Sequence, residues 1–150
     1  MTNSEPTPYQ LKIAVKLNIN ISGLTSNVAG AKISDMVMPA IYPDFQEARA
    51  TIKQIGFGTT LGLDLRNDSK AVASAKIEDK LSEINSAALE RLNLTPGVRV
   101  KKKRKIRIRG KEETLLTEHV VSSIGKNNRV YFKGGKGQGA WPSQLEPLDS

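Results

Sequence analysis

Gly97-Val98-Arg99-Val100-Lys101-Lys102-Lys103-Arg104-Lys105-Ile106-Arg107-Ile108-Arg109 is the stretch on which the reading of this chain turns. Val98 and Val100 alternate with polar neighbours, and so do Ile106 and Ile108. A period of two in apolar residues is the mark of a half-buried strand. The cations from Lys101 to Lys105 occupy both sides of such a strand or lie in a loop. From Arg104 onward alternation returns, so Ile106 and Ile108 are expected to face a core while Lys105, Arg107 and Arg109 face out. Side chains on one face of a strand recur about every 6.6 Å, roughly the phosphate spacing of an extended nucleic-acid strand.

Charge confirms that this region is set apart. Residues 1–95 carry 10 Lys or Arg and 10 Asp or Glu, whereas residues 96–150 carry 13 and 5, so the whole net charge of +8 lies in the last third. Charge segregated in this way suggests a polyanionic partner for that segment.

Downstream the pattern stays β. Leu115, Leu116 and then His119 to Ile124 form a second apolar stretch, and Gly125 to Asn128 is a turn signal. Arg129-Val130-Tyr131-Phe132-Lys133 reads as a strand, Gly134 to Gly139 as a hairpin loop, and Ala140-Trp141 as the start of a return strand. Pro142 to Leu148 closes with a short turn and an edge. Four or five short strands between Pro96 and Leu148 fit a small barrel.

In these residues the chain resembles the SH3-like small barrels, including KOW-type and Tudor-type modules. Gly97 to Val100 would be the opening strand, Arg129 to Phe132 a central strand, and Trp141 to Leu148 the closing turn. The resemblance implies a binding module. Residues 1–95 match no family pattern.

Upstream, residues 1–9 read as a disordered tail. Leu11, Ile13, Val15, Leu17, Ile19 and Ile21 alternate with polar or small residues and predict a strand. Helices are predicted over 26–37, closed by Met38 and Pro39, and over 43–55, with Pro43 at its first position and Gly56 as C-cap. Leu61, Leu63 and Leu65 predict a second strand. Asp68 or Ser69 caps a long helix to about Leu92, with Ile77, Leu81, Ile84 and Ala88 as its stripe. Leu94-Thr95-Pro96-Gly97 is a turn. The expected fold class is therefore α+β: a small α+β unit over 10–95, then a basic SH3-like β-barrel over 96–150.

Composition excludes much. The chain has no cysteine and a single histidine, His119, so thiolate chemistry and an all-histidine metal site are ruled out. No apolar run approaches the roughly 20 residues of a membrane span. Met1 to Pro8 lacks the apolar core of a secretory signal, and a cytoplasmic location is expected. No catalytic motif is present; His119 reads as structural, and Asp35, Asp44, Asp64, Asp68 and Asp79 are too scattered for a two-metal nuclease. Lys133 to Gly139 and Gly56 to Thr60 lack the spacing of a nucleotide-binding P-loop. No catalytic residue, metal or cofactor is expected.

The function expected is non-enzymatic nucleic-acid binding, DNA or RNA, through phosphates. The candidate contacts are Lys101, Lys102, Lys103, Arg104, Lys105, Arg107 and Arg109, extended by Lys126, Arg129, Lys133 and Lys136. Tyr131 and Trp141 are candidates for base stacking, against the plainer reading that Trp141 or Phe132 fills the barrel core. A basic edge strand guarded against aggregation, or one facing acidic lipid, is the competing reading of the run. The alternative function is a structural or adaptor subunit of a large assembly, such as a phage particle, a ribonucleoprotein or a photosynthetic complex, with the basic face meeting protein. A regulatory or mobile-element-associated DNA-binding protein shares the first chemistry and differs in specificity. The neutral half is expected to offer a protein contact or self-association surface.

Overall fold

The computed structural model describes residues 4–134 and 137–148. Four helices precede a five-stranded antiparallel sheet, so the fold class is α+β. The helices are α1 (Pro8–Leu17), α2 (Ser26–Ile41), α3 (Ile52–Thr60) and α4 (Lys70–Arg91). The strands are β1 (Arg99–Ile108), β2 (Lys111–Ile124), β3 (Val130–Phe132), β4 (Gly139–Ala140) and β5 (Leu145–Pro147). The chain divides into two compact units between Leu81 and Ser82, inside α4 and upstream of the Pro96-Gly97 turn.

Among the described residues the first unit is helical, and several expectations are corrected there. The strand predicted over Leu11 to Ile21 is replaced by α1. Its start is fixed by a capping box: Thr7 Oγ1 accepts from the Gln10 amide at 3.1 Å, and Gln10 Oε1 accepts from the Thr7 amide at 3.0 Å. Pro8 fits the first turn, and Asn18 ends the helix in the left-handed conformation at φ 55°. Gln10, Ile13, Ala14 and Leu17 turn inward at helical spacing, which leaves Val15 81% exposed. Residues 4–9, expected in the tail, are tied in as well, since the Ser26 amide donates to the Ser4 carbonyl at 2.7 Å.

The helix predicted over 43–55 is displaced to Ile52–Thr60. Thr51 and Gln54 form a second capping box that sets its start. Upstream, the Ala50 amide donates to Asp68 O at 3.0 Å and the Lys70 amide to Ala48 O at 2.8 Å. That extended link could not survive a helix through Ala48. The strand predicted over Leu61 to Leu65 is not formed, and no strand pairs with it among the described residues; the Leu63 amide instead bonds back to Gly58 O at 2.8 Å. Leu65 is fully buried against Gly58, where an added Cβ would come within 2.5 Å of Leu65 Cδ1. Helix α2 also runs past Met38, with Pro39 inside it.

The long helix is found where expected: Ser69 Oγ accepts from the Val72 amide at 3.1 Å, and α4 runs to Arg91. Ala14, Ile21 and Ala29 form one small cluster of the first unit, and Val28, Val72 and Ala75 another.

In the second unit the strands lie in the order β4-β3-β2-β1-β5, all neighbours antiparallel. One core draws on all five strands. Val100, Val121, Val130, Phe132, Ala140, Leu145 and Leu94 are buried together, with Leu89 and Leu92 from the end of α4 and its following turn packed against them. Ala140 and Leu145 come from the two terminal strands, so the sheet curls around this core. Among the described residues no helix is long and apolar enough to cross a membrane.

Candidate nucleic-acid interface

The β1–β2 hairpin carries most of the candidate contacts. Its register runs from Arg99 opposite Val120 to Ile108 opposite Lys111 without a break. Arg109 and Gly110 close it, both at positive φ (52° and 80°), which is the backbone of a two-residue type I′ turn. Alternation then assigns the faces. Arg99, Lys101, Lys103, Lys105 and Arg107 lie on one face of β1; Val100, Lys102, Arg104, Ile106 and Ile108 lie on the other.

The second of these faces covers the core only at its base. Val100 is buried, but Ile106 is half-buried and Ile108 is 48% exposed. The expectation that Ile106 and Ile108 face a core is therefore corrected. Strand β5 pairs with β1 only over Val100 to Lys102, and β3 pairs with β2 only over Val121 to Ile124. Beyond Lys102 the hairpin has outrun the core that its alternation implied.

Ion pairs touch part of the basic row. Lys103 pairs with Glu146 of β5; Lys105 lies 3.8 Å from Glu112, and Arg99 lies 3.9 Å from Glu118. The last two pairs are exposed and at the limit of contact, so each holds its partners by about 0–1 kcal/mol and leaves them available to another anion. Lys102 behaves differently. Its ammonium donates to the Gly139 carbonyl at 3.2 Å.

The remaining cations sit on loops around β3. Lys126 is exposed in the Gly125–Arg129 hairpin, which is closed by the Gly125 amide donating to Arg129 O at 2.8 Å. Asn128 Nδ2 ties that loop to Ser86 Oγ of α4 at 3.1 Å. Lys133 is exposed after β3, and Lys136 lies outside the described residues. Register thus groups the β1 cations, while Lys126, Arg129 and Lys133 flank a strand two places away in the sheet.

Both aromatic candidates are half-buried. The Arg129 guanidinium stands 5.3 Å over the Trp141 ring, a cation–π contact that covers one face of the indole. Tyr131 lies between the buried Val130 and Phe132, hence on the outer face, with its ring against Gly125 and Gly139. Phe132 fills the core and stacks on His119 at 4.1 Å between centroids. His119 Nε2 is 2.8 Å from Thr117 Oγ1, and burial, helped by the charge on Lys102, holds the imidazole below its ordinary pKa. Its stack on Phe132 makes it a packing element.

Sequence reasoning missed the Arg109-Gly110 turn, and with it two features: Arg99 at the foot of the cationic face, and the exposure of Leu115 and Leu116 (43% and 49%). Arg-Gly between two alternating segments was the signal for the turn.

No family model matches the chain, and no curated protein or solved structure matches it either.

Proposed function

We propose that this chain is a non-enzymatic nucleic-acid-binding protein whose second unit, an SH3-like small barrel, contacts the phosphates of DNA or RNA. The observation that carries the reading is the row Lys101, Lys103, Lys105 and Arg107 at alternate positions on one face of β1. Residues 101–118 hold eight Lys or Arg against three Glu. A local excess of that kind attracts a polyanion and gains affinity from the counterions the polyanion releases. The antiparallel meander, with its closing turn at Pro142–Gln144, supports the SH3-like assignment. Arg129 and Lys126 extend the footprint, and Lys102 serves the sheet rather than the ligand. The protein acts in the cytoplasm.

The first unit supplies a protein contact. It is close to neutral, with nine Lys or Arg against eight Asp or Glu over Thr2–Leu81, and Val15, Ile41 and Ile52 are 81%, 60% and 89% exposed on it. Apolar side chains such as these form a partner surface where they lie together in one patch.

Fluorescence anisotropy of the full chain with a labelled oligonucleotide, across a range of salt, tests the proposal. Affinity should fall steeply with salt. Replacing Lys101, Lys103, Lys105 and Arg107 by Gln should flatten the log–log slope by about one unit for every phosphate that is no longer neutralised. Failure to bind at low salt, or a slope near zero, rejects it. Loss of a co-purifying protein with nucleic-acid binding intact favours the adaptor alternative.

A further inference from the structure

We infer that the distal part of the β1–β2 hairpin, residues 103–116, is an arm that lies in the major groove of duplex DNA, with the face bearing Ile106, Ile108 and Leu115 toward the base edges. The inference rests on the nucleic-acid reading above, narrows it to one ligand, and sets the face opposite Lys103, Lys105 and Arg107 toward the bases, with the long side chains of that row reaching past the ribbon edges to the phosphates of the groove walls.

The arm is a two-stranded ribbon. Pairing between β1 and β2 continues to Ile108 and Lys111, while the flanking strands stop at Lys102 on one side and start at Val121 on the other. Six residues of β1 at about 3.3 Å each make a projection of roughly 20 Å. Such a ribbon contributes nothing to the buried core, all of whose sheet residues lie at or below Val100 and Val121 along these two strands. A free two-stranded ribbon is marginal in water, and this one keeps Ile108, Leu115 and Leu116 exposed. They are placed to be covered by something that tolerates eight neighbouring cations.

The side chains choose among polyanions. Single strands are gripped by aromatic platforms, and between Arg99 and Ile124 the chain has no Phe, Tyr or Trp. The major groove of A-form RNA is too narrow for side chains to read. The major groove of B-DNA, about 12 Å wide, admits a two-stranded ribbon and presents thymine methyls to apolar side chains.

The two faces of the arm differ as such a site requires. One carries Lys103, Lys105 and Arg107 with Thr114, Leu116 and Glu112. The other carries Arg104, Ile106 and Ile108 with Leu115, Glu113 and Lys111. Three apolar groups against one favour the second face for the groove floor. Glu113 on that face would be repelled by a phosphate but accepts from the amino group of cytosine, so it suits base edges and not the groove walls. At the tip, Arg109 holds the left-handed conformation that Asn or Gly adopts more readily. A long cation kept there, at the end of the ribbon, is placed to reach a phosphate across the groove.

The test uses the full chain and three probes of one sequence: duplex DNA, duplex RNA and single-stranded DNA. Duplex DNA should bind roughly ten-fold or more tighter than the other two. Ile108→Thr with Leu115→Thr should weaken duplex DNA binding roughly ten-fold without changing its salt slope, because apolar contacts release no counterions. Leu116→Thr, on the opposite face, should bind as the parent does. Both variants keep the core intact, which circular dichroism checks. Equal binding to the three probes, an unchanged double variant, or sedimentation showing that a second copy covers the arm, overturns the inference while leaving phosphate binding in place. Binding to none of the probes overturns the parent reading, and this one with it.

Discussion

The Lys102 ammonium on β1 donates a 3.2 Å hydrogen bond to the Gly139 carbonyl on β4, although β2 and β3 lie between those strands in the sheet. A side chain can bridge them only because the sheet curls round its core. Lys102 is half-buried, and its charge also helps to hold His119 neutral. Lys102→Met should therefore lower the stability of the second unit by on the order of 1 kcal/mol and raise the His119 pKa. Lys105→Gln, at an exposed site, should do neither. Thermal unfolding and an NMR titration of the imidazole read both outcomes; equal effects from the two variants would dissolve the distinction between a structural and a ligand-facing lysine.

Glycine at the other end of that bond is required for space. A Cβ on Gly139 would stand 2.4 Å from the Val130 carbonyl oxygen, a backbone atom that cannot swing aside. Gly139→Ala should cost about 1–3 kcal/mol by forcing β3 and β4 apart. Gly56 in α3 is the converse case, since nothing lies within 4 Å of its added Cβ. Gly56→Ala should stabilise the helical unit by roughly 0.5–1 kcal/mol. Denaturant midpoints for the two variants should move in opposite directions.

His119 gives the second unit a pH dependence of known sign. Its folded pKa lies below the ordinary value of 6.5, because burial and the Lys102 charge disfavour the imidazolium. Above that value the ring is neutral in both states and contributes no pH dependence. As pH falls below it, the unfolded chain takes up the proton first, so stability declines until the folded ring is protonated too. Unfolding followed between pH 8 and the acid side of about 6.5 should show this decline, and His119→Phe, which keeps the stack on Phe132, should remove it. A decline of equal size in the variant would place the cause elsewhere.

The reach of the sequence followed where each element takes its instructions. The β half was legible because alternation, Gly-rich turns and charge agree from Val98 to Leu148. Helix α4 was legible for the same reason: its stripe and its Ser69 cap agree. Alternation misled at Leu11 to Ile21, where helix α1 exposes Leu11 and Val15 and buries Ala14. The deciding signal was local and present in the sequence, the Thr7-Pro8-Tyr9-Gln10 capping box. Thr51 and Gln54 carried the same signal for α3, against the pull of Pro43 and Gly56. The tip of the arm was hidden for another reason. Ile106 and Ile108 alternate as core residues do, and sequence alone does not say that the neighbouring strands stop at Lys102 and Val121.

That tip supplies the last prediction. Arg109 sits at φ 52° in the first central position of a type I′ turn, with Gly110 at φ 80° in the second. The left-handed region costs an ordinary L-residue about 1–2 kcal/mol, and Asn much less. Arg109→Asn should therefore tighten the hairpin, slowing amide hydrogen exchange over the arm by roughly two- to five-fold. It also removes the outermost cation, so the salt slope for nucleic acid should fall by about one unit if Arg109 meets a phosphate. A firmer arm that binds less steeply is the combined signature of a strained residue kept for its charge. If exchange slows and the slope is unmoved, the guanidinium serves no phosphate contact; if exchange does not slow, the turn carries no strain to relieve.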